Sequence, residues 1–185
     1  MKATNRITIP RSVLLVIDMQ ETIFRRCLER QDVEKNAVKL IKAANALGLP
    51  ILVTEQYPEG LGGTSEGIAA ALGEFQPIPK RSFSSLGEPE FEDRLRATGR
   101  DTVIICGIEA HICVYQTGRD LTTSGKQVHV AGDAITSRGK FDLEVAVDRM
   151  RREGVTLSST ELIIYELLGS SGTDEFKRLL PLLKE

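Results

Sequence analysis

Asp18, Lys80 and Cys113 differ in chemistry, and each stands where an apolar run or proline-flanked segment ends or a helix begins, so together they could perform a nucleophilic acyl transfer. A thiolate is a strong nucleophile, a carboxylate within reach can take the thiol proton and later pass it to a leaving group, and a nearby ammonium lowers the thiol pKa. Placed at a helix N-terminus, Cys113 would gain further from the helix dipole, which makes its thiolate the expected resting form. Backbone N–H groups in the turn over 107–113 could hold the oxyanion of a tetrahedral intermediate.

Each residue also has a plainer reading. An acidic residue at a strand end is commonly a cap or ion-pair partner, a lone lysine a solvated charge, and a buried cysteine an inert thiol. Cys106, inside an apolar strand, fits that last description. Cys27 follows Arg25 and Arg26, which would activate a thiol, although a structural role is the simpler expectation. His111 offers a Cys-His pair, but a turn histidine more often makes a local hydrogen bond, and His129 reads as structural. The 60–63 stretch, Gly-Leu-Gly-Gly, lacks phosphate-loop spacing and reads as a pocket-lining loop. Phe24, Gln56, Tyr57, Phe83 and Tyr115 are candidate pocket residues, with core packing an equal alternative for Phe24 and Tyr115. Ser137 and Arg138 follow a strand end and could meet a substrate carboxylate or a neighbouring subunit.

The elements that must position these groups alternate along the chain. Apolar runs over 13–17, 50–54 and 101–106 read as strands buried on both faces, with shorter ones at 76–80, 127–130 and 155–157. Helical spacing covers 33–47 with Asp32 as N-cap, 89–98, about 113–124 and 142–153, with further helices at the end. The stretch 56–73 is rich in glycine and reads as turns above the strand ends. Strand-helix alternation implies a three-layer α/β/α domain over 1–185 around a doubly wound, mostly parallel, Rossmann-like sheet. In such sheets ligands bind beyond the carboxyl ends of the strands.

Composition narrows the partners. In 185 residues, 24 Lys and Arg stand against 26 Asp and Glu, and a net charge of -2 gives no field for nucleic acid or an anionic membrane. A small-molecule substrate is the expected partner. Three cysteines without zinc or CxxC spacing suit a reducing, cytoplasmic setting. The polar start, carrying Lys2, Arg6 and Arg11, resembles no signal peptide.

Three ordered motifs carry a family resemblance over about 12–168. Leu14-Leu15-Val16-Ile17-Asp18-Met19-Gln20 is similar to the opening motif of the isochorismatase-like cysteine hydrolases. Lys80-Arg81-Ser82-Phe83-Ser84-Ser85 resembles their lysine motif, and Ile105-Cys106-Gly107-Ile108-Glu109-Ala110-His111-Ile112-Cys113-Val114 their nucleophile motif. Thr54-Glu55-Gln56-Tyr57-Pro58 is most similar to the branch of isochorismatase domain-containing proteins.

The resemblance implies a triad of Asp18, Lys80 and Cys113 and a cis peptide at Ile108-Glu109 that would aim N–H groups at an oxyanion. It also implies a six-stranded sheet and a homo-oligomer, a dimer or larger. The metal ligands of the family's nicotinamidases have no counterpart, since no histidine precedes His111, so neither metal nor cofactor is expected. True isochorismatases lack the cysteine, and its presence favours attack on an amide, ureide or related carbonyl. A scaffold with a vestigial triad and a thiol redox sensor are the alternatives.

Overall fold

A computed structural model describes residues 6–184; Lys2 and the rest of 1–5 lie outside the described residues, as does Glu185. Six strands, β1 (Ser12–Ile17), β2 (Ile51–Gln56), β3 (Ile78–Lys80), β4 (Thr102–Ile108), β5 (Gln127–Thr136) and β6 (Thr156–Ser158), form a sheet in the order β3-β2-β1-β4-β5-β6. Every pairing is parallel, so the sheet is wholly rather than mostly parallel. The order reverses between β1 and β4, which opens a crevice above their carboxyl ends.

The long apolar runs are buried on both faces because each face meets its own helical layer. From β1 and β4, Leu14, Val16, Ile104 and Cys106 point into one core, with α2 (Arg30–Ala46), α8 (Thr160–Leu168) and α9 (Asp174–Leu183). Val13, Leu15, Ile17, Val103 and Ile105 point into the other, packed on α5 (Pro89–Ala97), α6 (Tyr115–Thr123) and α7 (Lys140–Arg152). At about 25 cal/mol per Å² of apolar surface, these two cores are the main stabilising force. β3 lies at the sheet edge, where Pro79 lacks an N–H that a central strand would need.

Several boundaries depart from expectation. The turn-rich 56–73 stretch contains two short helices, α3 (Pro58–Leu61) and α4 (Glu66–Leu72), the second buried through Ile68 and Leu72. Asp32 is not the N-cap of α2; Glu29 holds that place, and Asp32 sits in the first turn, where its charge still favours the helix dipole. β5 runs to Thr136, past a shift in its register with β4. The helix after β4 begins with a wide turn, Ala110–Val114, so Cys113 lies inside the helical segment rather than at its start.

Two backbone features join the strand ends to the crevice. Asp18 has φ 50°, a left-handed conformation that costs a non-glycine residue about 1–2 kcal/mol and turns its side chain off the line of β1. Gly107 has φ 129°, and a Cβ there would stand 2.1 Å from the Ile17 carbonyl oxygen. Only glycine lets the ends of β1 and β4 approach so closely.

Candidate active site

Four neighbouring strand ends supply the site. Asp18 follows β1, Thr54 and Gln56 end β2, Lys80 ends β3, and Cys113 lies in the wide turn after β4. Because β2 separates β3 from β1, Lys80 crosses over β2 to reach Asp18, and its Nζ lies 2.7 Å from Asp18 Oδ2. Both side chains are buried, the carboxylate 1% and the ammonium 0% exposed. Such a pair persists only where further polar contacts replace water. Thr54 Oγ1 donates to Asp18 Oδ1 at 2.8 Å. Lys80 Nζ donates to Gln56 Oε1 at 2.6 Å and faces the carbonyls of Ser82 and Phe83 at 3.2 and 3.3 Å.

Cys113 Sγ lies 3.5 Å from the same ammonium and 4.0 Å from Gln56 Oε1. Asp18 Oδ2, although within ion-pair range of Lys80, has no hydrogen bond aligned on it, which leaves a lone pair for a proton arriving from the thiol. The expected low-pKa thiolate does not follow from this geometry. Burial pushes the Cys113 thiol up to about 12, the Asp18 charge adds to the rise, and Lys80 only opposes it. At neutral pH Cys113 therefore rests as the thiol.

Asp18, Gln56 and Cys113 open onto a cavity of about 240 Å³. Ile23, Leu61, Phe83, Ile108 and Ile112 make its apolar wall, while Asp18, Gln56, Glu109 and Cys113 bring polar atoms to it. Thr22, Arg26 and Arg138 complete the lining. The peptide between Ile108 and Glu109 is cis.

Of the candidate pocket residues, Gln56 and Phe83 line this cavity and three do not. Phe24 is fully buried in the core beside α2, where its ring fills space between layers. Tyr115 points to the opposite side of its helix, and its hydroxyl donates to Glu153 Oε1 at 2.8 Å. Tyr57 is 41% exposed, with the Arg81 guanidinium 3.8 Å from its ring centroid. The Gly-rich loop contributes Leu61.

His111 Nδ1 lies 2.9 Å from Ser137 Oγ, tying the turn to the end of β5 instead of to the thiol. Arg138 is engaged by Glu109, whose Oε1 accepts from its Nε at 2.9 Å and its backbone N–H at 3.1 Å. Burial pushes Cys106 and Cys27 up to about 12, and neither lines the cavity. Among the described residues, no three or more His, Cys, Asp or Glu side chains gather as a metal site, and no helix is long and apolar enough to cross a membrane.

Sequence reasoning missed Arg26, Thr22, Ile23 and Ile112 as cavity residues. Arg26 follows α1 (Glu21–Phe24), a helix of four residues with no periodicity to read, so nothing local foretold which way its side chain would point.

Fold and site together define a doubly wound α/β protein with a buried carboxylate, ammonium and thiol at the carboxyl edge of its sheet. A model of the isochorismatase domain matches residues 12–161, and the chain belongs to the isochorismatase family. It is 38% identical over 183 residues to isochorismatase domain-containing protein 2 of Bos taurus, covering 99% of this chain and 88% of that one. A solved structure from Caenorhabditis elegans, described as MAR1 ribonuclease, superposes with a TM-score of 0.92 at 38% identity, covering 97% of this chain and 93% of that one. The YcaC gene product of Escherichia coli, described as an octameric hydrolase of unknown specificity, shares the fold with a TM-score of 0.90 at 22% identity, covering 99% and 91%.

Proposed function

We propose that the protein is a cysteine-dependent hydrolase of small amides, ureides or related C–N substrates. The observation that carries this reading is that Asp18 and Cys113, each within 3.5 Å of the buried Lys80 ammonium, both line one cavity. Asp18 takes the thiol proton as sulfur attacks the carbonyl carbon, and the carbonyl π electrons move onto oxygen. The oxyanion faces backbone N–H groups around Ile108, Glu109 and Cys113. Collapse reforms the carbonyl and expels ammonia or an amine, which leaves with the proton from Asp18. Water, deprotonated by Asp18, then attacks the thioester, and the departing sulfur takes that proton back. Lys80 holds the carboxylate in place and balances the charge that grows on sulfur.

A panel of small primary amides and ureides, assayed for ammonia release, tests the reading. Turnover by the wild type that disappears in Cys113→Ala supports it, and turnover that survives in that variant overturns it.

The 38% identity to a structure described as a ribonuclease favours a second reading, phosphodiester cleavage. There Asp18 would activate a ribose hydroxyl and no thiol would be needed, so Cys113→Ala would leave RNA cleavage intact. The net charge of -2 weighs against an extended RNA track. The raised thiol of Cys113 likewise weighs against a redox sensor, which relies on thiolate. Assembly into a homo-oligomer is supported by the octameric description of the bacterial relative and by Phe141, 76% exposed on α7. Three free cysteines fit a cytoplasmic setting.

A further inference from the structure

The outer flank of α2 carries Lys35, Lys39 and Lys42, whose spacing of i, i+4 and i+7 places them on one stripe of the helix. They line a groove of about 410 Å³ where α2 meets α4 and α9, and no residue of this groove belongs to the cavity beside Cys113. Its floor is apolar, for Val38 and Leu182 are half-buried and pack against the core beneath α2. Glu34 is the one acid among the lining residues, and it stands 4.0 Å from Arg30 Nε. It lies flat over Gly67, where a Cβ would come 2.6 Å from its Oε1.

Elsewhere exposed helices pair basic residues within themselves: Arg94 with Glu90 on α5, Lys140 with Glu144 and Arg152 with Asp148 on α7, and Lys177 with Asp174 on α9. On α2 the positions four residues beyond Lys39 and Lys42 are Ala43 and Ala46, and neither lysine makes an ion pair among the described residues. Lys39 also follows Lys35 by four residues, a spacing at which like charges repel. In a chain of net charge -2 this is a local concentration of positive charge, set beside apolar surface. We propose that the groove is a docking site for an acidic amphipathic helix of a partner protein, with an apolar side chain seated between Val38 and Leu182 and carboxylates facing Lys39 and Lys42. Helices dock in grooves through apolar anchors at helical spacing, and complementary charge fixes their register. The apolar floor offers nothing to a phosphate backbone, and a concave groove does not meet a flat bilayer.

The probe is a fluorescein-labelled helical peptide of about 20 residues, long enough to hold a helix, that repeats the pattern of α2 with opposite charge: Glu-x-x-Leu-Glu-x-x-Glu. Fluorescence anisotropy with the full chain should show micromolar binding that weakens as salt is raised. The double variant Lys39→Glu, Lys42→Glu should bind about tenfold or more weakly, and a peptide with Lys in place of Glu should recover the affinity for that variant. Val38→Gln should also weaken binding, whereas Lys140→Glu on α7 should leave it unchanged. Circular dichroism melts confirm that each variant is folded. No binding at millimolar peptide, equal binding of a peptide with the same residues in scrambled order, or failure of the charge-swapped pair to recover affinity overturns the proposal. Single-stranded RNA and phosphatidylserine vesicles are titrated in parallel, and tighter binding of either through the same two lysines overturns the assignment to an acidic helix.

Discussion

Cys106 and Cys113 are seven residues apart, both are buried, and burial pushes both thiols up to about 12. Cys106 lies within β4 and packs into the core beside α2, with desolvation as the sole influence on its proton. Cys113 faces a cavity, with Lys80 Nζ 3.5 Å away and the Asp18 carboxylate near enough to act on its proton. The same resting protonation therefore arises in two different settings, one closed core and one cavity wall. On the proposed reading, a nucleophile would be set apart by a base, a counter-charge and room for a reactant, all at the carboxyl edge of the sheet.

The largest expected effect is on turnover. Cys113→Ala should lower kcat by about a thousandfold or more on any amide that the wild type hydrolyses, whereas Cys106→Ala should leave kcat within a few-fold. Comparable losses in steady-state assays of the two variants would erase the distinction drawn between them.

Next comes the ion pair. Lys80→Met leaves Asp18 buried and uncompensated, and chemical denaturation should show a loss of about 3–5 kcal/mol. A loss below about 1 kcal/mol would mean that the pair is solvated and that its closed environment has been misjudged.

Alkylation rates sharpen the comparison further, because the two charges act on the Cys113 proton in opposite directions. Asp18 raises the pKa and Lys80 lowers it, so at pH 8 iodoacetamide should modify Cys113 faster in Asp18→Asn than in wild type and slower in Lys80→Met. Mass spectrometry locates the label, and Cys106 should show no such response. Slower labelling in both variants would indicate a preformed thiolate held by the intact pair.

The smallest effect belongs to a buried group far from this chemistry. Burial depresses the His129 pKa below its ordinary 6.5, against the opposing charge of Glu166, and neither ring nitrogen has a hydrogen-bond partner among the described residues. Its contribution to stability is complete above about pH 6.5 and is lost as pH falls from there toward the folded-state value. Urea titrations between pH 7 and 5 should show His129→Leu losing less stability than wild type, with a difference of at most about 1.4 kcal/mol per pH unit for one proton. Identical slopes would place a compensating partner on that histidine.

Much of the sheet was legible because strands buried on both faces leave contiguous apolar runs, as at Val13 through Ile17. Their ends located Asp18 and Cys113, and the ordered motifs supplied Lys80, whose own short strand is weak evidence. The direction in which side chains point was less accessible. Phe24, Tyr57 and Tyr115 lie near motifs in sequence yet turn into the core, to the surface or to Glu153, as set by helix phase and turn geometry. The desolvation that raises the Cys113 thiol is not legible in the sequence, because proximity to a lysine says nothing about how much water the fold removes.

Gly107 touches none of the reacting groups, yet a Cβ there would collide with the main chain of Ile17, and a backbone atom cannot swing aside as a side-chain tip can. If the proposed mechanism holds, a relative that replaced this glycine could keep Asp18, Lys80 and Cys113 and still be inert, since the segments bearing Asp18 and Cys113 would be wedged apart. Sorting such relatives into working enzymes and silent copies by the reactive trio alone would count that chain among the living; the missing hydrogen at position 107 is the better mark.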